Sequence, residues 1–310
     1  MSLDRLIEKI AETQNPTVVG LDPKLEYVPE FIKAAAFAEH GETLKGAACA
    51  ILEFNKGIID AIYKEVPAVK PQLAFYEMLG VDGIKAFYET CEYARARGMY
   101  IIADGKRNDI GSTAEGYAAA YLGKVQIGAN EFEPFPVDSL TVNGYLGSDG
   151  IEPFTEICEE YDKSIFVLIK TSNPSSWEIQ DKMIDNTPVY EVMGELCGNW
   201  GLQSLGKYGF SAAVGAVVGA TYPKQIAEMR AKLPFIFFLI PGYGAQGGKG
   251  EDLKAAFDSR GLGGIVNSSR AVMCAWQKEK CDENDYASAA LREVLRMKNE
   301  LINIIGEIKI

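Results

Sequence analysis

Apolar residues along this chain fall into two alternating patterns. Eight short runs are almost continuously apolar and end in polar residues or glycine: Thr17–Asp22, Val66–Gln72, Met99–Lys106, Ser139–Tyr145, Ser164–Ser172, Ala212–Ala220, Phe235–Gly244 and Gly263–Arg270. Continuous rather than alternating apolarity is expected of parallel strands covered on both faces. Between them lie segments with helical spacing. Leu44 to Tyr63 places Leu44, Ala47, Ala48, Ile51, Phe54, Ile58 and Ile62 on one stripe, and Phe75 to Arg97 forms a second. Thr187–Lys207 and Tyr286–Ile304 supply later helices. Strand and helix alternating eight times predicts an α/β fold, a single (β/α)8 TIM barrel, with a doubly wound open sheet as the alternative. No Pro/Gly/Ser-rich linker divides the sequence, so one domain over residues 1–310 is expected, its barrel core running from about residue 14 to 275 and its C-terminal helix over 286–304.

A barrel collects its chemistry where strands end. Asp22 closes the first run and Lys70 the second; Asp104 and Lys106 close the third, Asn143 and Tyr145 the fourth. Lys170-Thr171-Ser172-Asn173 follows the fifth, a glycine-rich stretch the seventh, and Asn267-Ser268-Ser269-Arg270 ends the eighth. The third end is the densest: Asp104-Gly105-Lys106-Arg107-Asn108-Asp109 sets an ammonium between two carboxylates. Regular alternation would send Asp104 and Lys106 to the same side of the strand. Ser112, with Glu115 three residues later, would cap the next helix through a capping box. Such a charge cluster fits either a catalytic group of mutually tuned protonation or an ionic network at a strand end.

Composition narrows the chemistry. The formal net charge is −12, with no basic stripe to neutralise phosphates, which argues against a nucleic-acid partner. An anionic substrate would have to be captured by local positive groups. No apolar run is long enough to span a membrane, and the N-terminus shows no secretory pattern, so a cytoplasmic protein is expected. Six scattered cysteines without a CxxC pair fit reduced thiols, and the single histidine, His40, leaves little room for His-based metal sites or triads. Lys, Asp, Glu and Tyr remain.

The stretch Gly242-Tyr243-Gly244-Ala245-Gln246-Gly247 formally matches the dinucleotide pattern G-x-G-x-x-G, but it follows the seventh strand rather than the first. Barrels commonly bind phosphate with the loops after strands seven and eight, and Arg270 would add a bidentate donor there.

Taken together, these motifs resemble the orotidine 5′-phosphate decarboxylase family. Asp104-x-Lys106-x-x-Asp109-Ile110-x-x-Thr113 is similar to its signature. Lys70-Pro71-Gln72-Leu73-Ala74-Phe75-Tyr76-Glu77, Lys170-Thr171-Ser172-Asn173-Pro174, Pro241 to Gly248 and Asn267 to Arg270 resemble its longer, type 2 bacterial branch. The matches run in family order from Asp22 to Arg270. Mild departures are Asn108, where Gly is common, and Gly144, where Pro is common.

The resemblance implies cofactor-free decarboxylation of orotidine 5′-monophosphate to uridine 5′-monophosphate in pyrimidine biosynthesis, with no metal. It implies that Asp22 and Lys70 hold the ribose hydroxyls, that Asp104 lies against the substrate carboxylate and that Lys106 delivers the proton. Asp109 and Thr113 would reach into a neighbouring subunit, which makes a homodimer the expected assembly. Thr171 or Ser172 would contact the pyrimidine amide, with Ser172 favoured. Gln246 and Arg270 would grip the phosphate, within a site that also takes in Pro241, Gly247 and Ser269. Two other readings are a Mg2+-dependent sugar-phosphate decarboxylase or aldolase on the same scaffold, and a non-catalytic nucleotide-binding barrel. The segment Pro174–Asp185 reads as an inserted loop, either a lid over the pyrimidine or a solvated excursion.

Overall fold

All eight apolar runs form strands, and each strand runs parallel to its neighbours. The computed structural model describes residues 1–243 and 250–310. Strands β1 (Thr17–Leu21), β2 (Ala68–Pro71), β3 (Tyr100–Arg107), β4 (Ser139–Val142), β5 (Ser164–Lys170), β6 (Val214–Val218), β7 (Phe237–Ile240) and β8 (Gly264–Ser268) follow one another around a closed barrel. Closure is made by β1, which pairs with β2 through Val18 and Ala68 and with β8 through Thr17 and Val266. A closed barrel has no free edge, and its open-sheet alternative is thereby excluded.

Helices α1 (Ser2–Thr13), α2 (Leu44–Ile62), α3 (Gly80–Ala96), α4 (Gly111–Leu122), α5 (Glu152–Tyr161), α6 (Val189–Gly201), α7 (Pro223–Lys232) and α8 (Tyr286–Ile305) surround it, with a further helix over Glu30–His40 before α2 and shorter helical turns between. The long stripe expected over Phe75–Arg97 is interrupted. Gly80 takes a left-handed φ of 63°, which separates a short turn at Leu73–Glu77 from α3. The helix expected from Thr187 starts at Val189, because Thr187–Pro188 pairs instead with Met183–Ile184 in a small hairpin. Among the described residues, no helix is long and apolar enough to cross a membrane.

The apolar residues separate into two packed regions. One lies between the strands and the outer helices, and includes Ile51, Phe54, Ile58, Phe87, Ile101, Leu140 and Val167. The other fills the barrel itself, where Val18, Tyr100, Ile102, Phe166, Phe237 and Ile265 meet. Phe166 needs its neighbour to be small: a Cβ on Gly215 would stand 2.5 Å from its ring.

The N-terminal end of the barrel is closed by α1, whose Leu3, Leu6, Ile7 and Ile10 are buried against that interior. Ser2 continues the plug with polar contacts, its hydroxyl 2.8 Å from the Tyr100 hydroxyl, which also meets Ser164 at 2.8 Å. The cavity described below lies at the opposite, C-terminal end of the barrel.

Leu6 is fully buried, whereas Leu44 at the start of α2 is 56 % exposed. Leu6→Ala is expected to lower unfolding free energy by about 2–5 kcal/mol through the cavity it leaves. Leu44→Ala is expected to stay within about 0.5 kcal/mol of wild type. Denaturant titration of both variants checks this; equal effects would mean that α1 does not seal the barrel.

Candidate active site

The C-terminal ends of β2, β3 and β4 converge on one carboxylate. Asp104 accepts a hydrogen bond from Lys70 Nζ on Oδ2 at 2.5 Å, and from Lys106 Nζ on Oδ1 at 2.6 Å. Thr141 of β4 donates to the same Oδ1 at 2.9 Å. Charge-assisted bonds of this kind are short and strong, but each ion must first be taken out of water.

Burial is graded across the three ions. The side chains of Lys70 and Asp104 are 5 % and 10 % exposed, whereas that of Lys106 is 46 % exposed. Burial pushes the Asp104 carboxyl up, but the two ammoniums outweigh it and hold the group well below the usual carboxylate range. Burial likewise disfavours the Lys70 ammonium. The carboxylates of Asp104 and Asp22, with the hydrogen bond to Asp104, overcome that penalty and raise its pKa above the ordinary lysine value.

Regular strand alternation is not what brings Asp104 and Lys106 together. In the β3–β4 ladder, Ala103 pairs with Leu140 and Arg107 with Val142, so three residues of β3 face the single residue Thr141. Within this bulge Lys106 adopts a left-handed φ of 48°, a conformation that non-glycine residues rarely take. Its amide donates to Thr141 Oγ1 at 3.0 Å. Thr141 therefore supports both the carboxylate and the strained backbone beside it. Bulges next to functional sites commonly re-aim a side chain in this way.

Thr141 was not singled out in the sequence. It lies two residues before Asn143, and a polar residue within an apolar strand offered the only signal. The expected capping box is also corrected. The helix begins at Gly111, so Ser112 falls inside its first turn, and no side chain caps it. Asp109 Oδ1 instead accepts from the Ile110 amide at 2.9 Å.

A cavity of about 230 Å3 opens above the charge cluster, lined by Lys70, Asp104, Lys106, Thr141, Leu168, Thr171, Ser172, Asn173, Val217, Leu239 and Pro241. Larger cavities lie elsewhere, including one of about 420 Å3 beside Lys9 and Arg97. The smaller one combines buried opposed charges with an apolar wall.

Of the sequence candidates, Lys70, Asp104, Lys106, Thr171, Ser172 and Pro241 share this cavity. Asp22 stands near enough to Lys70 to bias its protonation, and its Oδ1 is buried without a hydrogen-bond partner among the described residues. Asp109 and Thr113 do not line the cavity in the single chain; Thr113 is exposed on α4. Ser269 lies over Gly20, accepting at 3.3 Å from Asn267 Nδ2. Arg270 is exposed at the end of β8 and borders a separate cavity with Gln277, Lys278 and Arg296. Gln246 and Gly247 lie outside the described residues.

Residues 18–280 match the family model described as "Orotidine 5′-phosphate decarboxylase / HUMPS family". An orotidine 5′-phosphate decarboxylase of Caldicellulosiruptor bescii is 42 % identical over 274 residues, covering 88 % of this chain and 90 % of that protein. One from Clostridium tetani is 39 % identical and covers 99 % of both chains. Among solved structures, an OMP decarboxylase of Leishmania donovani superposes with a TM-score of 0.70 at 29 % identity, covering 96 % of this chain and 99 % of that one.

Asp104→Asn would leave Lys70 buried beside a neutral amide, at a cost of about 3–5 kcal/mol near neutral pH. The folded-state pKa of Asp104 lies below its unfolded value, about 4, so its contribution is complete above that pH and disappears as pH falls toward the folded value. Denaturant titrations should therefore show the gap between wild type and Asp104→Asn narrowing on acidification. A gap that stays constant from pH 7 into this acid range would mean that the ion pair contributes nothing.

Proposed function

The chain belongs to the orotidine 5′-phosphate decarboxylase / HUMPS family, and from that premise we propose that it converts orotidine 5′-monophosphate to uridine 5′-monophosphate and CO2 without a cofactor. The observation that carries this reading is the cluster at the mouth of the barrel, where a buried carboxylate is held between two ammoniums, one of them partly open to the cavity.

The chemistry asks for this charge pattern. Breaking the bond from the pyrimidine ring to its carboxylate leaves an electron pair on the ring carbon, with no cofactor to accept it. Lys106 can stand against that carbon as a positive charge and pass it a proton, becoming a neutral amine that solvent reprotonates. Asp104, fixed by three donors, would lie beside the departing carboxylate, and their repulsion is relieved as neutral CO2 leaves. Holding like charges together takes binding energy from elsewhere in the substrate, and the phosphate is the natural source.

The remaining roles follow the same reading. Asp22, with its unpartnered buried oxygen, and Lys70 would take the ribose hydroxyls. Arg270 and Gln246 would grip the phosphate, beside Gly247 and Ser269. Ser172 would meet the pyrimidine amide within the wall formed by Leu168, Val217 and Pro241. Asp109 and Thr113, which do not line the cavity of their own chain, would complete the site of a second copy in a homodimer.

Two experiments test the proposal. Protein treated with a chelator is expected to decarboxylate orotidine 5′-monophosphate, followed by loss of the orotate absorbance. Activity restored only by Mg2+ would move the chain to the sugar-phosphate branch, and binding without turnover would make it a non-catalytic barrel. Lys106→Ala is expected to lower kcat by at least 100- to 10,000-fold, the usual range for general acid catalysis, while uridine 5′-monophosphate still binds. Subunit-exchanging mixtures of Lys106→Ala with Asp109→Ala should regain activity; no recovery would count against a shared site.

A further inference from the structure

The end of β5 carries a third ammonium, and the fold turns it away from the cavity. Leu168 pairs with Val217 and Lys170 with Val218, so β5 has one residue more than β6 between these pairs. Leu168 lines the cavity, but Lys170, two residues on, does not. The bulge swings it into the segment that follows the strand, where its side chain is fully buried. Lys170 Nζ lies 2.6 Å from Asp181 Oδ1, 3.3 Å from Ser176 Oγ and 4.7 Å from the centre of the Tyr222 ring.

This ion pair clamps the inserted stretch that the sequence left as either a lid or a loop. The stretch folds as a one-turn helix, Pro174–Glu178, and the hairpin Met183–Ile184 with Thr187–Pro188. Between them, Gln180 holds Thr171 by both of its polar groups. Gln180 Oε1 accepts from the Thr171 amide at 3.0 Å, and Gln180 Nε2 donates to Thr171 Oγ1 at 2.7 Å. Thr171 Oγ1 in turn donates to Asn173 Oδ1 at 2.6 Å.

Thr171 therefore lines the cavity with its amide and hydroxyl already engaged. Ser172 has no hydrogen-bond partner among the described residues. It packs closely on Gly219, where a Cβ would come within 2.9 Å of the Ser172 nitrogen, so this approach of the two segments requires glycine.

We propose that Gln180, carried on a strap clamped by Lys170 and Asp181, is a positioning residue that engages Thr171 and so leaves Ser172 to meet the amide edge of the base. This deepens, and rests on, the base-binding role assigned to the cavity above. Gln180 does not line the cavity and acts through Thr171. Without it, the Thr171 amide and the acceptor side of its hydroxyl, which still donates to Asn173, would be free to compete with Ser172 for the ligand.

The test separates recognition of the base from recognition of the rest of the nucleotide. In the full-length protein, Gln180→Leu should weaken uridine 5′-monophosphate at least tenfold, measured as inhibition of orotidine 5′-monophosphate turnover. Ribose 5-phosphate, which lacks the base, should stay within twofold of its wild-type inhibition constant. Gln180→Glu, which keeps the acceptor for the Thr171 amide, should recover part of the loss. Gln180→Leu that binds uridine 5′-monophosphate as wild type does, or that weakens both ligands equally, overturns the proposal. If Gln180→Leu does not fold, Thr171→Val removes the oxygen that Gln180 engages; at least a threefold loss selective for uridine 5′-monophosphate is expected, and wild-type binding overturns the proposal. Wild-type protein that fails to turn over the substrate defeats the functional reading, and this inference with it. An active wild type with an indifferent Gln180→Leu defeats only the role of Gln180.

Discussion

Asp104 is the constraint around which the open end of the barrel is arranged. A carboxylate taken almost wholly out of water is costly unless its charge is met, and here it is met twice, by Lys70 and by Lys106. With Asp22 near Lys70, the group that results sets two carboxylates against two ammoniums, in a chain whose formal net charge is −12. Long-range attraction does not bring an anionic ligand to such a surface; the short-range field inside the cavity has to do so. The same opposed charges hold the protonation states apart, with the Asp104 carboxyl pulled down and the Lys70 ammonium reinforced.

Two irregularities in the strands decide which charges enter that cavity. In β3 the bulge opposite Thr141, with its left-handed Lys106, directs an ammonium inward. In β5 the extra residue before Lys170 carries another ammonium outward, where Asp181 and two aromatic rings receive it. A regular β5 would have placed Lys170 on the same side as Leu168, adding a third cation to the cavity wall. Control of cavity charge thus comes from backbone register as much as from residue type.

The rest of the barrel supports this placement. Because α1 seals the opposite end with Leu3, Leu6, Ile7 and Ile10, the interior beneath the charge cluster is filled by packed apolar side chains that back the ions. The polar belt of Ser2, Tyr100, Ser139 and Ser164 lies at that sealed end, hydrogen-bonded within itself. On the open side, the strap following β5 ties Thr171 in place from outside the cavity, so the wall facing a ligand is built from a strand end and an insertion acting together.

Much of this was legible in the residues alone. Strand positions, the closure of eight strands and the gathering of Lys70, Asp104 and Lys106 at their ends follow from apolar patterning and from polar residues at strand termini, both local properties of sequence. What local pattern could not supply was register. The sequence gives no sign that three residues of β3 face Thr141, that Lys170 leaves the cavity, or that Gln180 returns to engage Thr171. The capping box failed for the same reason: Ser112 and Glu115 have the right spacing, but the helix starts at Gly111, two residues too early for Ser112 to cap it. Bulges and returning loops are settled by hydrogen bonds to partners 9 to 44 residues away, as Thr171 with Gln180, Lys106 with Thr141 and Gln225 with Asp181 illustrate. Spacing along the chain places a residue near the end of its strand; only pairing with the neighbouring strand decides which way it then points.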